Sequence, residues 1–535
     1  MSRPLVRSEL IGAELVWLLS VTYAGRVFRW SSRPVNLTNS DGEVLPFDGG
    51  LPPVDYDDAA QVLATDPADL SIPFSVVFPV DVAVLVQRGH DLATGSAEVS
   101  VIIDNGTATY EDRRVVLVGD VTQPTYGAIY EPVTFSVEDP PWLDRALIPS
   151  ATHRVNSTTW SGAPTDSHGL YYPLVFGTPG VFTWASGTAT VTSGSPALIV
   201  DVTGSNVNTL LIAGHWVKAV SVRVYDGDGT GVSGTVQNTT DGLGQPVAIV
   251  DVSGLGGTVD LTTSDWFIGW NNGGAMYNDR QDGAREGAGE IAEWALRAST
   301  VRYDRGLWAS ARRSLDGFIL AGYIDEPVSP WEWLADNVLP LLPVSVRSGP
   351  TGSFPVVYKY DARSADSIES VTAGAGFVRV GPVEYVTGAG DRANEMRIDY
   401  AKRARKNTAF RAATVGPFPS DDPDVFENYY AGVSARRYGV RSSTIDTDIV
   451  YDTPTAIRIA RWKVRASSLS SRSVTYSASF EYGWLSVGDV IDLTDDELAL
   501  DAQIVQLVSI KWGASGLDLT FYLLDDPPRD THTTG

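Results

Sequence analysis

Short apolar runs alternate with polar positions through the first 150 residues, and turn-forming clusters punctuate them at Ser40-Asp-Gly42, Asp48-Gly-Gly50 and Asp104-Asn-Gly106. A period of two marks strands with one buried face, and Asp-Gly and Asn-Gly pairs supply tight turns, so antiparallel β structure is expected here. The start of the chain, with Arg3 and Arg7 ahead of Leu10-Ile-Gly-Ala, imitates a secretory leader. Glu14 interrupts the apolar run, however, and apolar positions continue at Val21, Tyr23 and Val27, which favours a first strand instead. Val101-Ile-Ile103 and Arg114-Val-Val-Leu-Val118 are expected to form a hairpin about Asn105-Gly106. Val133-Thr-Phe-Ser-Val137 then closes the unit, and the prolines of Asp139-Pro-Pro-Trp142 mark a boundary.

Residues 151–275 have a different texture. Short runs such as Ala197-Leu-Ile-Val200, Leu210-Leu-Ile-Ala213 and Val247-Ala-Ile-Val250 are spaced by glycine-rich turns, and charged residues are sparse, so a separate β-sandwich-like module is expected. From 283 the period lengthens. Ile291, Trp294, Ala295 and Ala298 fall on one helical stripe, with Glu286, Glu290 and Glu293 elsewhere, which fits an amphipathic helix. A second helix is expected near 307–316 and a strand at Phe318-Ile-Leu-Ala-Gly-Tyr-Ile324. Ser329-Pro-Trp-Glu332 then combines an N-cap serine, proline at the first helical position and glutamate three residues after the cap. Ser329 and Glu332 therefore form a capping box, and the helix should run on until Pro340 and Pro343 stop it. Beyond about 375 strand patterning returns, interrupted by a helix at about 454–466. It ends in Asp489-Val-Ile-Asp-Leu493, Ala502–Trp512 and Leu517–Leu524, a pattern suited to a small barrel. Four domains follow: 1–150 antiparallel β, 151–275 low-charge β insert, 276–375 α/β, and 376–535 with the small β-barrel; that 1–150 is a barrel as well is implied only by the resemblance described below.

Charge and composition narrow the chemistry. The 535 residues carry 40 Lys and Arg against 65 Asp and Glu, a net of −25, which argues against bulk nucleic-acid binding. With no cysteine, disulfides, thiolate metal sites and a cysteine nucleophile are excluded. No apolar run is long enough to cross a bilayer, so no stable membrane insertion is expected. The five histidines, His90, His153, His168, His215 and His532, lack ligand spacing, and neither a nucleophile elbow nor a zinc-helix motif occurs. No cofactor is expected.

Asp226, Asp228 and Thr230 imitate a calcium loop, but Gln237 stands where a bidentate glutamate belongs and flanking helices are missing, so a hairpin tip is the better account. Asp325, Glu326 and Glu332 lie near Tyr323, Trp331 and Trp333, a grouping that glycan cleavage could use, yet Glu332 already has the capping role. Between 391 and 411 the charge turns basic. Arg397, Lys402, Arg403, Arg405 and Lys406 there are the candidates for a subunit contact, which is preferred over nucleic acid because an acidic neighbouring copy is available.

Arg436-Arg-Tyr-Gly-Val440, the helix after Asp452-Thr-Pro454 and Leu485-Ser-Val-Gly-Asp-Val-Ile-Asp-Leu-Thr-Asp495 resemble the C-terminal barrel of tailed-bacteriophage baseplate hub proteins of the long-tailed type. Ser329-Pro-Trp-Glu-Trp-Leu334 with Leu339-Pro-Leu-Leu-Pro343 is similar to their helical middle region, and Tyr172-Pro-Leu-Val-Phe-Gly177 with Leu211-Ile-Ala-Gly-His215 to their inserted β domain. The resemblance implies a mainly β fold with a smaller α/β part, containing two hub-type barrels. It also implies a homotrimer whose six barrels adapt a sixfold tail tube to a threefold tip in the virion, assembled in the host cytoplasm. The implied partners are the distal tail protein ring or tube, fibre or needle proteins of the tip, and genome DNA passing through the bore without specific binding. The role implied is structural rather than enzymatic. The alternatives are a tail enzyme cleaving glycan and a receptor-binding protein using Trp184, Trp216, Trp266 and Trp270.

Overall fold

The computed structural model describes residues 14–524 except 53, 55, 60–70, 127–130, 139–144, 186–187, 205, 226–230, 254–265, 271–285, 348, 350, 361, 363–365, 386–391, 404–405, 419–421, 423, 470–471 and 514–515. Among the described residues the fold is mainly β, with 46% strand against 20% helix, as the alternation along the chain implies. Among the described residues no helix is long and apolar enough to cross a membrane.

The first strand, Glu14–Tyr23, is buried on both faces. Leu15, Trp17, Leu19, Val21 and Tyr23 enter the large core, while Val16 and Leu18 meet Leu37, Leu45 and Phe47 on the other side. Burial of both faces explains the continuous apolar run that imitates a leader. Glu14–Tyr23 lies inside an eight-stranded sheet. Its other members run in the order Val35–Thr38, Val44–Gly49 and Arg26–Ser31 on one side, then Ser96–Asp104, Arg114–Thr125, Val133–Glu138 and Ser71–Val76 on the other. A short helix α1 (Val82–Gln87), capped by Asp81, lies in the connection to Ser96. The expected hairpin forms, with Val101 opposite Arg114, but residues 105–113 connect it instead of a two-residue turn. Asp104 Oδ1 accepts the Gly106 N–H at 2.8 Å, and Thr109 and Asp112 cap a further 3₁₀ turn at Tyr110–Asp112, so Asn105-Gly106 opens a loop instead of closing one.

The low-charge insert is a seven-stranded antiparallel sheet that begins with Ser195–Pro196 and ends with Leu198–Thr203. Because those two strands are neighbours in the chain, the sheet curls round on itself. Val222, Val224, Ile268 and Trp270 pack within it.

The central region follows the helical periodicity. Helix α2 (Ala288–Ala298) buries Ile291, Ala292, Ala295 and Leu296, and α3 (Arg305–Leu315) buries Trp308, Ala311 and Leu315. At Ser329 the chain enters α4 (Pro330–Trp333), then widens to a π turn over Leu334–Val338 and tightens to 3₁₀ at Leu339–Leu341. The single α-helix expected up to Pro340 is thus only one turn long. Pro340 has no N–H to give the carbonyl of Asp336, and the Asn337 side chain takes the Trp333 carbonyl at 3.0 Å, which loosens the regular ladder.

Phe377–Tyr385, Arg472–Ala478, Leu517–Leu523, Leu500–Trp512, Val490–Asp495 and Ser370–Thr372 form the C-terminal sheet, in that order. Tyr56–Ala59, from the other end of the chain, adds a strand antiparallel to Ser509–Trp512. One core accordingly holds Val99, Leu117 and Val137 together with Tyr476, Leu507, Trp512 and Phe521.

Between Phe377–Tyr385 and Arg472–Ala478 stands a module with four strands, in the order Val425–Glu427, Lys406–Gly416, Glu395–Arg403 and Ser442–Asp446. It also holds α5 (Tyr429–Tyr438) and α6 (Thr453–Ser468). Asp452 caps α6, whose buried side includes Ile459 and Trp462. The Trp462 indole donates to the Leu341 carbonyl at 2.8 Å, tying the module to the central helices in one core.

Candidate assembly surfaces

A four-strand arrangement occurs twice. In the N-terminal sheet, Ser96–Asp104, Arg114–Thr125 and Val133–Glu138 form a meander, and the preceding strand Ser71–Val76 pairs antiparallel with its last member. In the C-terminal sheet, Val490–Asp495, Leu500–Trp512 and Leu517–Leu523 do the same, with Arg472–Ala478 in the preceding place. Both units carry a 3₁₀ turn after their second strand, at Tyr110–Asp112 and Asp496–Leu498. No repeat was visible in the sequence.

The two units meet at a seam. Arg114 donates through Nη1 to the carbonyls of Gly483 and Leu485 at 2.9 and 3.1 Å, and its guanidinium lies 5.2 Å from the Trp512 ring. Beside it opens a cleft of about 370 Å³ with Ile103, Phe480, Trp484 and Trp512 in its wall and Glu111, Asp112 and Glu481 along it. Burial raises the carboxyl of Asp489 in the neighbouring turn, an effect opposed by the Ser486 N–H and the Arg114 charge.

The basic stretch 395–416 is a β-hairpin. Arg403 and Lys406 form the last pair of its ladder; their side chains, and Arg405 altogether, lie outside the described residues. Lys402 is bound within the chain, its Nζ 2.8 Å from Asp446, and Arg397 donates to Asp399 at 2.7 Å. Arg397 remains exposed. Behind the hairpin, Lys463 on α6 is half-buried against Trp462, and desolvation pushes its ammonium down to about 8.

Helix α5 was missed in the sequence, although Asn428 and Gly439 were there to signal its ends. Asn428 Oδ1 accepts the Ala431 N–H at 3.2 Å, and Gly439 follows the last turn with φ of 74°. Three guanidinium groups stack on its tyrosines. Arg392 and Arg437 lie 4.1 and 5.4 Å from the Tyr438 ring, and Arg465 lies 3.5 Å from that of Tyr430.

The remaining candidates separate. Ser329 Oγ accepts the Glu332 N–H at 3.2 Å, while Trp331 and Trp333 are buried and present no platform beside Asp325, Glu326 and Glu332. Trp266 and Trp270 are likewise core residues, the latter donating to Ser195 Oγ at 2.7 Å, whereas Trp216 is 38% exposed. The Trp184 side chain, Asp226, Asp228, Thr230 and His532 lie outside the described residues. His215 is occupied structurally: Nε2 accepts the Val175 N–H at 3.1 Å and Nδ1 faces the Trp216 carbonyl at 2.9 Å. Among the described residues no three His, Asp or Glu gather as metal ligands.

Residues 360–508 match the family model described as "Putative phage tail protein". That segment of the chain is similar to phage tail proteins, as the resemblance implies, which supports a phage-tail-related protein. Solved structures that align with it include a tail protein from Neisseria meningitidis MC58, at 10% identity over 95% of this chain and 96% of that one, with a TM-score of 0.37. A 43 kDa tail protein of prophage MuSo2 from Shewanella oneidensis aligns at 11% identity over 95% and 98%, with a TM-score of 0.36. A prophage tail protein from Listeria monocytogenes EGD-e aligns at 9% identity over 95% and 94%, with a TM-score of 0.29. Similarity this slight adds nothing to the assignment. No curated protein matches the chain.

Proposed function

We propose that this chain is the baseplate hub of a phage tail tip, a homotrimeric ring that adapts the sixfold tail tube to a threefold tip and lines the DNA conduit. The observation that carries this reading is the four-strand unit occurring twice in one chain. Three copies then offer six similar units to a sixfold neighbour, while the differences between the two units in each copy leave the tip side threefold. The shared core and the strand Tyr56–Ala59 bind the two units of a copy together, as a rigid ring requires. A net charge of −25 per copy suits a conduit wall that must not hold phosphate.

In this reading residues 1–150 and 376–535 supply the ring, 276–375 braces it, and 151–275 stands as an appended module. The exposed Arg397 and the hairpin end at Arg403, Arg405 and Lys406 are proposed to lie at a subunit contact, Lys402 serving there through its bond to Asp446. The distal tail ring or tube and the fibre or needle proteins of the tip are the proposed partners, and the role is architectural rather than enzymatic. Threefold averaging of the parent particle tests this: three copies around the axis are expected, and one or six copies would overturn it.

A further inference from the structure

Residues 297–313 hold five Arg against one Asp, in a chain whose net charge is −25. Three of these arginines, Arg297, Arg302 and Arg305, line an open pocket of about 720 Å³ where α2 passes into α3. Among the described residues no Asp or Glu lines it. The carboxylates close by in the chain are engaged elsewhere: Asp304 caps α3 through the Leu307 N–H at 2.8 Å and accepts the Thr351 hydroxyl, while Glu293 holds Arg297 and Arg312. Two hydroxyls join the guanidinium groups. Ser299 Oγ accepts the Val301 N–H at 2.8 Å, which leaves its O–H to donate. The Tyr303 hydroxyl is buried beside the Arg297 guanidinium and makes no hydrogen bond of good geometry.

The wall of the pocket is built by the fold. The Ser353 N–H donates to the Arg302 carbonyl at 2.9 Å, and the Asp304 N–H to the Ser353 carbonyl at 2.8 Å. Gly352, with φ of 113°, packs against the backbone of Arg302 so closely that a Cβ there would stand 2.4 Å from its carbonyl carbon. The backbone carrying Arg302, Tyr303 and Arg305 is thereby held in place, which lowers the ordering cost of binding.

We propose that this pocket binds a phosphate-bearing ligand. A phosphate group brings several acceptor oxygens and a charge of about −2, whereas a carboxylate brings fewer oxygens and less charge. Only the former can use a lining of three guanidinium groups and two hydroxyls at once. The volume exceeds what a single phosphate ion fills, so the ligand carries linked phosphates or a phosphate on a larger body. Small phosphorylated molecules and the backbone of a nucleic acid share this chemistry. The inference goes beyond the hub reading and does not depend on it.

Calorimetric titration of the full-length protein at fixed ionic strength tests it, with pyrophosphate, citrate and a short single-stranded oligonucleotide as probes. Pyrophosphate is expected to bind at least about tenfold tighter than citrate. Arg302→Gln with Arg305→Gln should weaken it at least about tenfold, and Tyr303→Phe by a smaller factor, whereas Arg436→Gln on α5 should leave binding unchanged. Circular dichroism melts establish that each variant is folded, and Arg305→Gln alone replaces the double variant should that one unfold. An oligonucleotide bound more tightly than pyrophosphate, and lost with the same substitutions, identifies a nucleic-acid backbone as the source. Equal or weaker binding of the oligonucleotide identifies a small phosphorylated molecule. No pyrophosphate binding up to millimolar concentration, citrate bound as tightly, or unaltered binding by the folded double variant would each overturn the proposal. None of these outcomes bears on the number of copies around the tail axis, so the hub reading is judged separately.

Discussion

Asp104 and Asp495 hold the same post in the two four-strand units. Each is the last residue of its unit's second strand and is buried. Each gives Oδ1 to an N–H two residues on, that of Gly106 at 2.8 Å and that of Glu497 at 2.9 Å. Each also turns Oδ2 toward an arginine, Arg33 in the first unit and Arg379, at 3.8 Å, in the second. A carboxylate in this place stops the strand and shapes the turn after it, and the cation and N–H groups offset its desolvation.

Removing either carboxylate should therefore destabilise the shared core. Asp495→Ala strands the Tyr476 hydroxyl, which donates to Oδ2 at 2.6 Å, as well as the turn amides of Glu497 and Leu498. A loss of about 1–3 kcal/mol is expected, with Asp104→Ala losing a comparable amount. Urea denaturation of the full chain measures both; two neutral substitutions would refute the stabilising role, and a loss at only one site would refute the equivalence.

Stability should fall in alkali because of buried tyrosines. Tyr172 donates to Asp241 at 2.9 Å inside the insert, and burial followed by that carboxylate pushes its hydroxyl up to about 12. Unfolded tyrosine ionises near pH 10, so between about pH 10 and 12 the folded state binds the extra proton and stability declines as pH rises. Tyr172→Phe should flatten this decline in melts recorded from pH 9 upward.

Lys463 has the opposite dependence. Its folded-state value is lowered to about 8, so above that pH the folded chain gives up a proton that the unfolded chain keeps until about pH 10.5. Stability contributed by this site rises over that window. Lys463→Met should raise the melting temperature at pH 7, by an amount equivalent to about 1–3 kcal/mol, and remove the rise.

The cap at α4 gives a local test. Ser329 is buried and its hydroxyl satisfies the Glu332 amide, so Ser329→Ala should cost about 0.5–2 kcal/mol. Thermal unfolding of the whole protein supplies the measurement, and Ser329→Asp should recover part of the loss.

Local chemistry was legible wherever neighbours in the chain create it. The stripe of Ile291 and Ala295 specified α2, Asp452 followed by Pro454 specified the start of α6, and Ser329-Pro330 specified the entry to α4. These signals depend on contacts three or four residues apart, which the sequence states directly. The Arg and Tyr surface was legible only in part, since the basic run at 391–411 was plain while the stacking of Arg392, Arg437 and Arg465 required α5 and α6 to be placed.

Only the tertiary structure decided the rest. Backbone hydrogen bonds pair Tyr56–Ala59 with Ser509–Trp512, and because such bonds use groups common to every residue, no side-chain pattern announces the partner. The four-strand unit likewise repeats in topology without repeating in sequence, since many apolar side chains can fill equivalent places in a sheet. The sequence by itself determined a mainly β, cysteine-free, acidic chain with a helical interlude. Which carboxylates are buried, as at Asp104 and Asp495, depended on where distant arginines and turn amides arrived to receive them.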